Sequence, residues 1–351
     1  MDPHPTTTQP TPREPQAEGA GPALPDTMRA VVARRYGTAE VLAVEEVPVP
    51  SPGRGEILVA VEASSLNALD WRLLTGTPYL VRLTNGLRRP RHPVPGADVA
   101  GRVVAVGAGV TRFRVGDGVF GESRGGGCSS HLTVDAEHVA AVPDAVSWRD
   151  AGTTPVAGLT ALQGLRTRGR VQPGDHVLVN GAAGGVGTFA VQVAKALGAE
   201  VTAVTSSRNV ELVRSLGADT VVDYGATDFT TLGRRFDVLF DVVGNRTAAE
   251  CLRLLRPDGR LVAVSGPMTN RWLGPVPHLV RTGLAVRRAE ASFHQFTAAP
   301  VAEDLAFLGT LLASGAVSPA IDRVIGLEDV PAALAEIGTG HTRAKIAVRP
   351  T

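Results

Sequence analysis

The stretch HVLVNGAAGGVGTFAVQVAK, residues 176–195, decides the fold. Its first five residues, His176 to Asn180, are short, apolar and β-branched, as a parallel strand covered on both faces requires. Gly181, Gly184, Gly185 and Gly187 follow at once, and Phe189, Val191, Val193 and Ala194 then recur with helical spacing. A second apolar strand, Glu200–Thr205 (EVTAVT), comes next. The helix N-terminus of such a unit presents unpaired N–H groups and positive dipole character to a phosphate. Gly184 lets the backbone approach a pyrophosphate, and Gly187 lets the helix pack closely on the strand. The run departs from G-x-G-x-x-G at one position, since Ala182 stands where the first glycine would, with Gly181 before it. Gly181, Ala182, Gly184, Gly185, Val186 and Gly187 are therefore the candidate phosphate-binding residues. The pattern predicts a dinucleotide site and hydride transfer as its chemistry. The bland alternative is a glycine-rich turn in some other doubly wound protein.

Outward from this unit the chain divides. Ser147-x-x-Asp150 resembles a helix N-cap, and a long helix is expected over 152–168. Helices over 186–197, 209–216 and 246–255 then alternate with strands over 200–205, 219–223, 237–241 and 260–264, which is the signature of a parallel sheet. Before residue 147 the pattern is β-rich: strands over 29–34, 56–63, 99–106, 115–120 and 131–134 are punctuated by glycine turns, with a loop over 64–70. Such spacing suggests a compact, barrel-like unit. After residue 298 a helix (302–313), a strand (320–325), a helix (327–337) and a strand (344–348) are expected to return to that first unit. The expected fold class is α/β: a Rossmann doubly wound parallel sheet over 147–297, plus a barrel-type unit over 28–146 and 298–351. Residues 1–27, rich in Pro and Thr, are expected to be disordered, with Met28 as a candidate translation start. The apolar, Arg-dotted stretch 268–288 reads as a lid or a subunit contact; it lacks the dense basic face of a membrane-surface helix.

Composition excludes several function classes. A chain of 351 residues suggests two domains. A formal net charge of +1 leaves no electrostatic footprint for nucleic acid or an anionic membrane. No apolar run reaches the roughly 18 residues a spanning helix needs. Two cysteines, Cys128 and Cys251, make neither a disulfide framework nor a metal cluster, and with no export signal they fit a cytoplasmic location. Nearly all basic residues are Arg; the two lysines are Lys195 and Lys345.

The second strand runs into Thr205-Ser206-Ser207-Arg208-Asn209, where an NAD enzyme carries Asp or Glu for the ribose 2′-OH. A carboxylate would repel a 2′-phosphate, whereas the Arg208 fork suits one and Ser206 and Ser207 add hydroxyl donors. NADPH is the expected cofactor.

With these residues the chain resembles the zinc-free medium-chain dehydrogenase/reductases, in the quinone oxidoreductase (zeta-crystallin-like) and enoyl reductase branch. The resemblance covers nearly everything from Met28 to Arg349. It includes Ser65-Leu-Asn67-Ala-Leu-Asp70-Trp71, Pro95-Gly96-Ala-Asp98-Val-Ala-Gly101, 107–120, Val156-Ala-Gly158-Leu-Thr160-Ala161 and the segment from Leu216 to Tyr224. It implies a GroES-like catalytic domain and a homodimer paired near 289–293. Zinc-dependent members put Cys where Asn67 stands and His-Glu where Ala97-Asp98 stands. A catalytic zinc needs three protein ligands, so no metal is expected here. The resemblance also implies further cofactor contacts. Lys195 and Tyr224 would approach the 2′-phosphate, and Thr160 the pyrophosphate or nicotinamide. Val243 and Gly244 would sit beside the adenosine ribose, Val264, Ser265 and Gly266 against the carboxamide, and Lys345 would reach back to the cofactor, although relatives often carry Gly where Ala344 stands.

The implied reaction is hydride transfer to an enone or quinone, a small-molecule substrate whose oxygen gains negative charge. Asn67 can donate to that oxygen without ionising. Tyr79 lies near the tyrosine of enoyl thioester reductases, one residue out of register, and could donate a hydrogen bond or the later proton. Asp70 is expected to orient its loop. Trp71, Tyr36, His131 and Cys128 are read as packing residues. The alternatives are a trans-acting enoyl thioester reductase of lipid or polyketide synthesis, and a nucleotide-binding protein without turnover.

Overall fold

The computed structural model describes residues 24–350 apart from 269, 288 and 290. Most of the segment expected to be disordered lies outside these residues, while Thr27 already opens a strand. Six strands form one wholly parallel sheet in the order Thr220–Asp223, Glu200–Thr205, His176–Asn180, Phe236–Asp241, Leu255–Ala263 and Ser292–Gln295. The strand order reverses beside His176–Asn180. In a doubly wound sheet this is where a ligand binds, outside the carboxyl ends of the strands. The expected strands all form. The helix of the fingerprint runs Gly185–Ala196.

The second sheet has seven strands. Ile321–Ile325, Lys345–Val348, Glu56–Leu66, Asp98–Val106, Gly118–Glu122 and Val139–Ala141 follow one another, and His131–Asp135 pairs with Glu56–Leu66. The last strand of the chain therefore lies beside Glu56–Leu66, antiparallel, with Ile346 opposite Leu66 and Ala347 opposite Ser65. This register carries Lys345 to the end of the strand that Asn67 follows. Gly101 is where two strands close on each other; a Cβ there would lie 2.0 Å from the Ala60 carbonyl oxygen.

Three local expectations are corrected. The 64–70 segment is not a loop: the strand continues to Leu66, and Ala68–Thr75 is a helix whose first turn is held by the Asp70 carboxylate accepting from the Asn67 N–H at 2.7 Å. A polar side chain three residues into a helix can satisfy an N–H at its start, a signal present in Asn67-x-x-Asp70. The long helix over 152–168 is divided into Trp148–Thr153, Pro155–Leu162 and a looser turn over Gln163–Arg168; the first break falls where Pro155 has no N–H to continue the ladder. A two-stranded ribbon, Thr27–Ala33 with Leu42–Pro48, adds a strand not read from the sequence.

One core runs between the sheets. Phe120 of the barrel strand, Leu159 of Pro155–Leu162, Phe189 of the fingerprint helix, Phe240 and Leu308 are all fully buried in the same cluster. Each such side chain contributes roughly 1.5–3 kcal/mol on burial, so the same packing stabilises both sheets and fixes one against the other.

Candidate functional site

The glycine turn has the shape its residues predict. Gly187 could carry no side chain, since a Cβ would sit 2.1 Å from the Gly181 oxygen and 2.8 Å from Ala182 Cα. Gly184 is the opposite case. A Cβ there would meet only the Gly181 oxygen, at 3.7 Å, so this face of the turn is open. No side chain caps the helix that begins here. An uncapped helix start behind an open glycine is a cradle for a pyrophosphate. Ala182 is buried against Gly187 and does not approach the open face, which is why the missing first glycine leaves the turn intact.

The carboxyl ends of the neighbouring strands converge beside it. Asp241 is the hub: its Oδ1 accepts from Asn180 Nδ2 (2.9 Å), Val243 N (3.1 Å) and Gly244 N (2.8 Å), and its carbonyl accepts from Val264 N (2.9 Å). Burial pushes its carboxyl up, while the bonds from Gly244, Asn180 and Val243 pull it down. Gly244 touches Ser265 and Gly266 so closely that a Cβ would lie 2.6 Å from Gly266 Cα. Val243 packs against Gly181. These four predicted residues thus lie together with the turn. Ser265 also accepts from Arg72 Nη2 at 2.8 Å, a bond between the two units. Neither Asp241 nor Arg72 was singled out from the sequence; the signal for Asp241 was an acid ending a buried strand.

At the end of the second strand, the Tyr224 N–H donates to Thr205 O at 3.0 Å, placing Tyr224 beside Ser206 with its side chain exposed. Arg208 is exposed, and its Nη2 donates to His341 O at 3.1 Å. Asn209 Oδ1 and Thr342 Oγ1, flanking this contact, are buried with no hydrogen-bond partner. Asp223, the nearest strand-end acid, has its Oδ1 turned into the Gly225 N–H. Lys195 is not brought to this place. It ends a twelve-residue helix, about 18 Å long, that starts at the glycine turn. Its ammonium bonds both oxygens of Asp219, at 2.9 and 2.8 Å, and Asp219 Oδ2 accepts from Val201 N at the start of the second strand. That is the amino-terminal end of the strands, opposite the end at which the turn lies.

Lys345 has the contrary fate. Its side chain is 2% exposed, and its ammonium donates to Asn67 Oδ1, to Asp98 Oδ2 at 3.1 Å and to Leu66 O at 3.5 Å. Asp98 Oδ2 also accepts from Ser65 Oγ and, at 2.8 Å, from Asn67 Nδ2, while its Oδ1 accepts from Val156 N at 2.8 Å. Thr160, one turn beyond Val156, donates its hydroxyl back to the Val156 carbonyl at 2.6 Å. Asp70 also accepts from Gly96 N at 3.0 Å; burial raises its carboxyl to about 6, against the Asn67 N–H bond. Glu122 lies opposite Asp98 on the next strand, so the two side chains share a face. Burial, then Asp98 and Asp70, push its carboxyl up to about 8. The same C-terminal strand touches the glycine turn: Ala344 N donates to Ala183 O at 2.8 Å, and Ala344 bridges to Gly184. Ala344 has φ 52°, the left-handed region that favours glycine.

Tyr79 sits in a strap across the cleft. Its N–H donates to Arg271 O (2.8 Å), the Leu80 N–H to Trp272 O (3.1 Å), and its ring meets the Trp272 ring edge-on with centroids 5.1 Å apart. The Arg82 guanidinium lies over the Tyr79 ring, 4.5 Å from its centroid. The 268–288 stretch, where described, thus packs across the two units and continues into the helix Val276–Val286.

Two families match the chain: "Alcohol dehydrogenase GroES-like domain" over residues 53–152 and "Zinc-binding dehydrogenase" over 216–348. The residues do not fit a zinc ion. Ala97 has no donor atom, and an ammonium occupies the oxygens of both Asn67 and Asp98. Among the described residues, no group of three or more His, Cys, Asp or Glu is arranged to hold a metal. The chain is 33% identical to the chloroplastic quinone-oxidoreductase QR1 of Triphysaria versicolor over 343 residues, covering 92% of this chain and 98% of that one. It is 32% identical to the chloroplastic NADPH-dependent alkenal/one oxidoreductase of Arabidopsis thaliana over 262 residues, 71% of this chain and 66% of that one. The quinone oxidoreductase from Coxiella burnetii superposes with a TM-score of 0.82 at 27% identity, covering 93% of this chain and all of the other.

Proposed function

The chain belongs to the quinone oxidoreductase branch of the medium-chain dehydrogenase/reductases, and on that premise we propose that it is an NADPH-dependent, metal-independent reductase of enones or quinones. The observation that carries this reading is a juxtaposition. The strand from Lys345 touches the open phosphate turn through Ala344 and holds an uncharged amide donor, Asn67, through its own side chain. When bound, NADPH supplies hydride from C4 of its nicotinamide to an electrophilic carbon.

The chain's own residues do the rest. Gly184 and the start of the Gly185–Ala196 helix receive the pyrophosphate. Arg208, Ser206, Ser207 and Tyr224, with no acid among them, receive the 2′-phosphate. Val264, Ser265 and Gly266 line the nicotinamide end, with Ser265 held by Arg72. Asn67 donates to the substrate oxygen as negative charge develops there. Tyr79, fixed in the strap with Trp272, walls the substrate side. Asp70 orients the start of its helix. The edge strand Ser292–Gln295 would pair two copies; light scattering on the purified chain tests that dimer.

Fluorescence titration with NADPH and NADH tests the cofactor reading. Wild type is expected to prefer NADPH, and Arg208→Ala to lose about tenfold of that preference, in line with a charge-assisted bond of roughly 1.5–3 kcal/mol. Equal binding of both cofactors sinks the 2′-phosphate assignment. NADPH binding without oxidation by any enone or quinone favours a binding protein over an enzyme.

A further inference from the structure

We propose that Lys345 is a positioning residue for hydride transfer, acting through Asn67: its ammonium sets the orientation of the Asn67 amide and strengthens its donation to the substrate oxygen. This rests on the reductase reading above.

An asparagine amide can sit either way round, and its neighbours decide. Lys345 can only donate, and an ionised Asp98 can only accept. The observed arrangement sets Oδ1 on the ammonium and Nδ2 on the carboxylate. The flipped amide would face carboxylate with oxygen and ammonium with NH₂, losing both bonds. One Nδ2 hydrogen is taken by Asp98, which leaves one for substrate. An ammonium bonded to the amide oxygen draws electron density from the N–H groups, so the remaining hydrogen becomes a stronger donor.

The anchor is rigid. Asp98 is fully buried and held from four elements: Ser65 of its neighbouring strand, Asn67 at the helix start, the Val156 N–H of Pro155–Leu162, and Lys345 of the last strand. Stability does not require the charged pair as such, because well-packed apolar residues often replace both members of a buried ion pair without loss. Residues 344 and 345 together fix the spacing between the phosphate turn and Asn67.

The test uses NADPH with 1,4-benzoquinone and 3-penten-2-one as probes. Lys345→Met alone strands the Asp98 charge and can unfold the chain, so the decisive variant is the neutral pair Asp98→Asn/Lys345→Met, checked by thermal melting. It is expected to bind NADPH within about threefold of wild type and to transfer hydride at least about tenfold more slowly, with KM for the probe little changed. Asn67→Ala is expected to lose a similar factor, and to add little in the neutral-pair background, because one route carries both effects. A neutral pair that transfers hydride within about twofold of wild type overturns the proposal, as does full additivity with Asn67→Ala. Wild type inert toward both probes overturns the reductase reading itself, and this role with it.

Discussion

The two lysines of this chain end in opposite circumstances. Lys195 has a third of its side chain exposed and pairs with Asp219 at the amino-terminal end of the parallel strands, away from the glycine turn. Lys345 is buried and pairs with a buried aspartate beside Asn67. Resemblance assigned both to the cofactor. Their surroundings separate them: a solvated ion pair costs little to make and little to lose, whereas a buried one binds several elements together and cannot lose a partner cheaply.

Breaking the buried pair should have the largest effect. Lys345→Met leaves Asp98 uncompensated and is expected to destabilise the fold by about 3–5 kcal/mol, read as a lowered denaturant midpoint. Neutralising Asp98 at the same time should recover most of that loss. A small effect of the single change would show that Asp98 reaches water or a proton.

Glu122 sharpens the same region. Its folded carboxyl titrates near 8, above its ordinary value of 4.5. The folded state therefore binds this proton more tightly than the unfolded state. The associated stability is present below pH 4.5 and is lost as pH rises through 8. Glu122→Gln should flatten that decline, with a gain on the order of a few kcal/mol at pH 9 measured by urea unfolding. Parallel pH profiles for variant and wild type would remove Glu122 from the buried charge cluster.

Smaller effects belong to the linker and to the surface. Ala344 holds a left-handed conformation that costs a non-glycine residue roughly 1–2 kcal/mol, so Ala344→Gly should relieve strain. The extra freedom of glycine in the unfolded chain offsets about 0.4–1 kcal/mol of it. A rise in melting temperature of a few degrees or less is expected. Lys195→Met should cost about 0–1 kcal/mol and leave NADPH affinity unchanged. A selective loss of NADPH binding in that variant would return Lys195 to the cofactor site.

Much of the fold was legible in consecutive residues. The parallel strands announced themselves as short β-branched runs, and the glycine turn carried its own reasons at Gly184 and Gly187. Less local features were not. Arg72 was passed over because its partner, Ser265, lies 193 residues away. The strap of Tyr79 on Trp272 joins two segments that say nothing about each other in sequence.

The sequence by itself determined the parallel sheet, the glycine turn and the side chains at Asn67 and Ala97 that do not suit zinc, because period, turn chemistry and donor atoms are local properties. Only the tertiary structure decided which lysine lies beside Asn67. A helix rising about 1.5 Å per residue carries Lys195 away from the turn at which it begins. Strand register brings Lys345 to Asn67 across 278 residues, where burial makes its one positive charge matter.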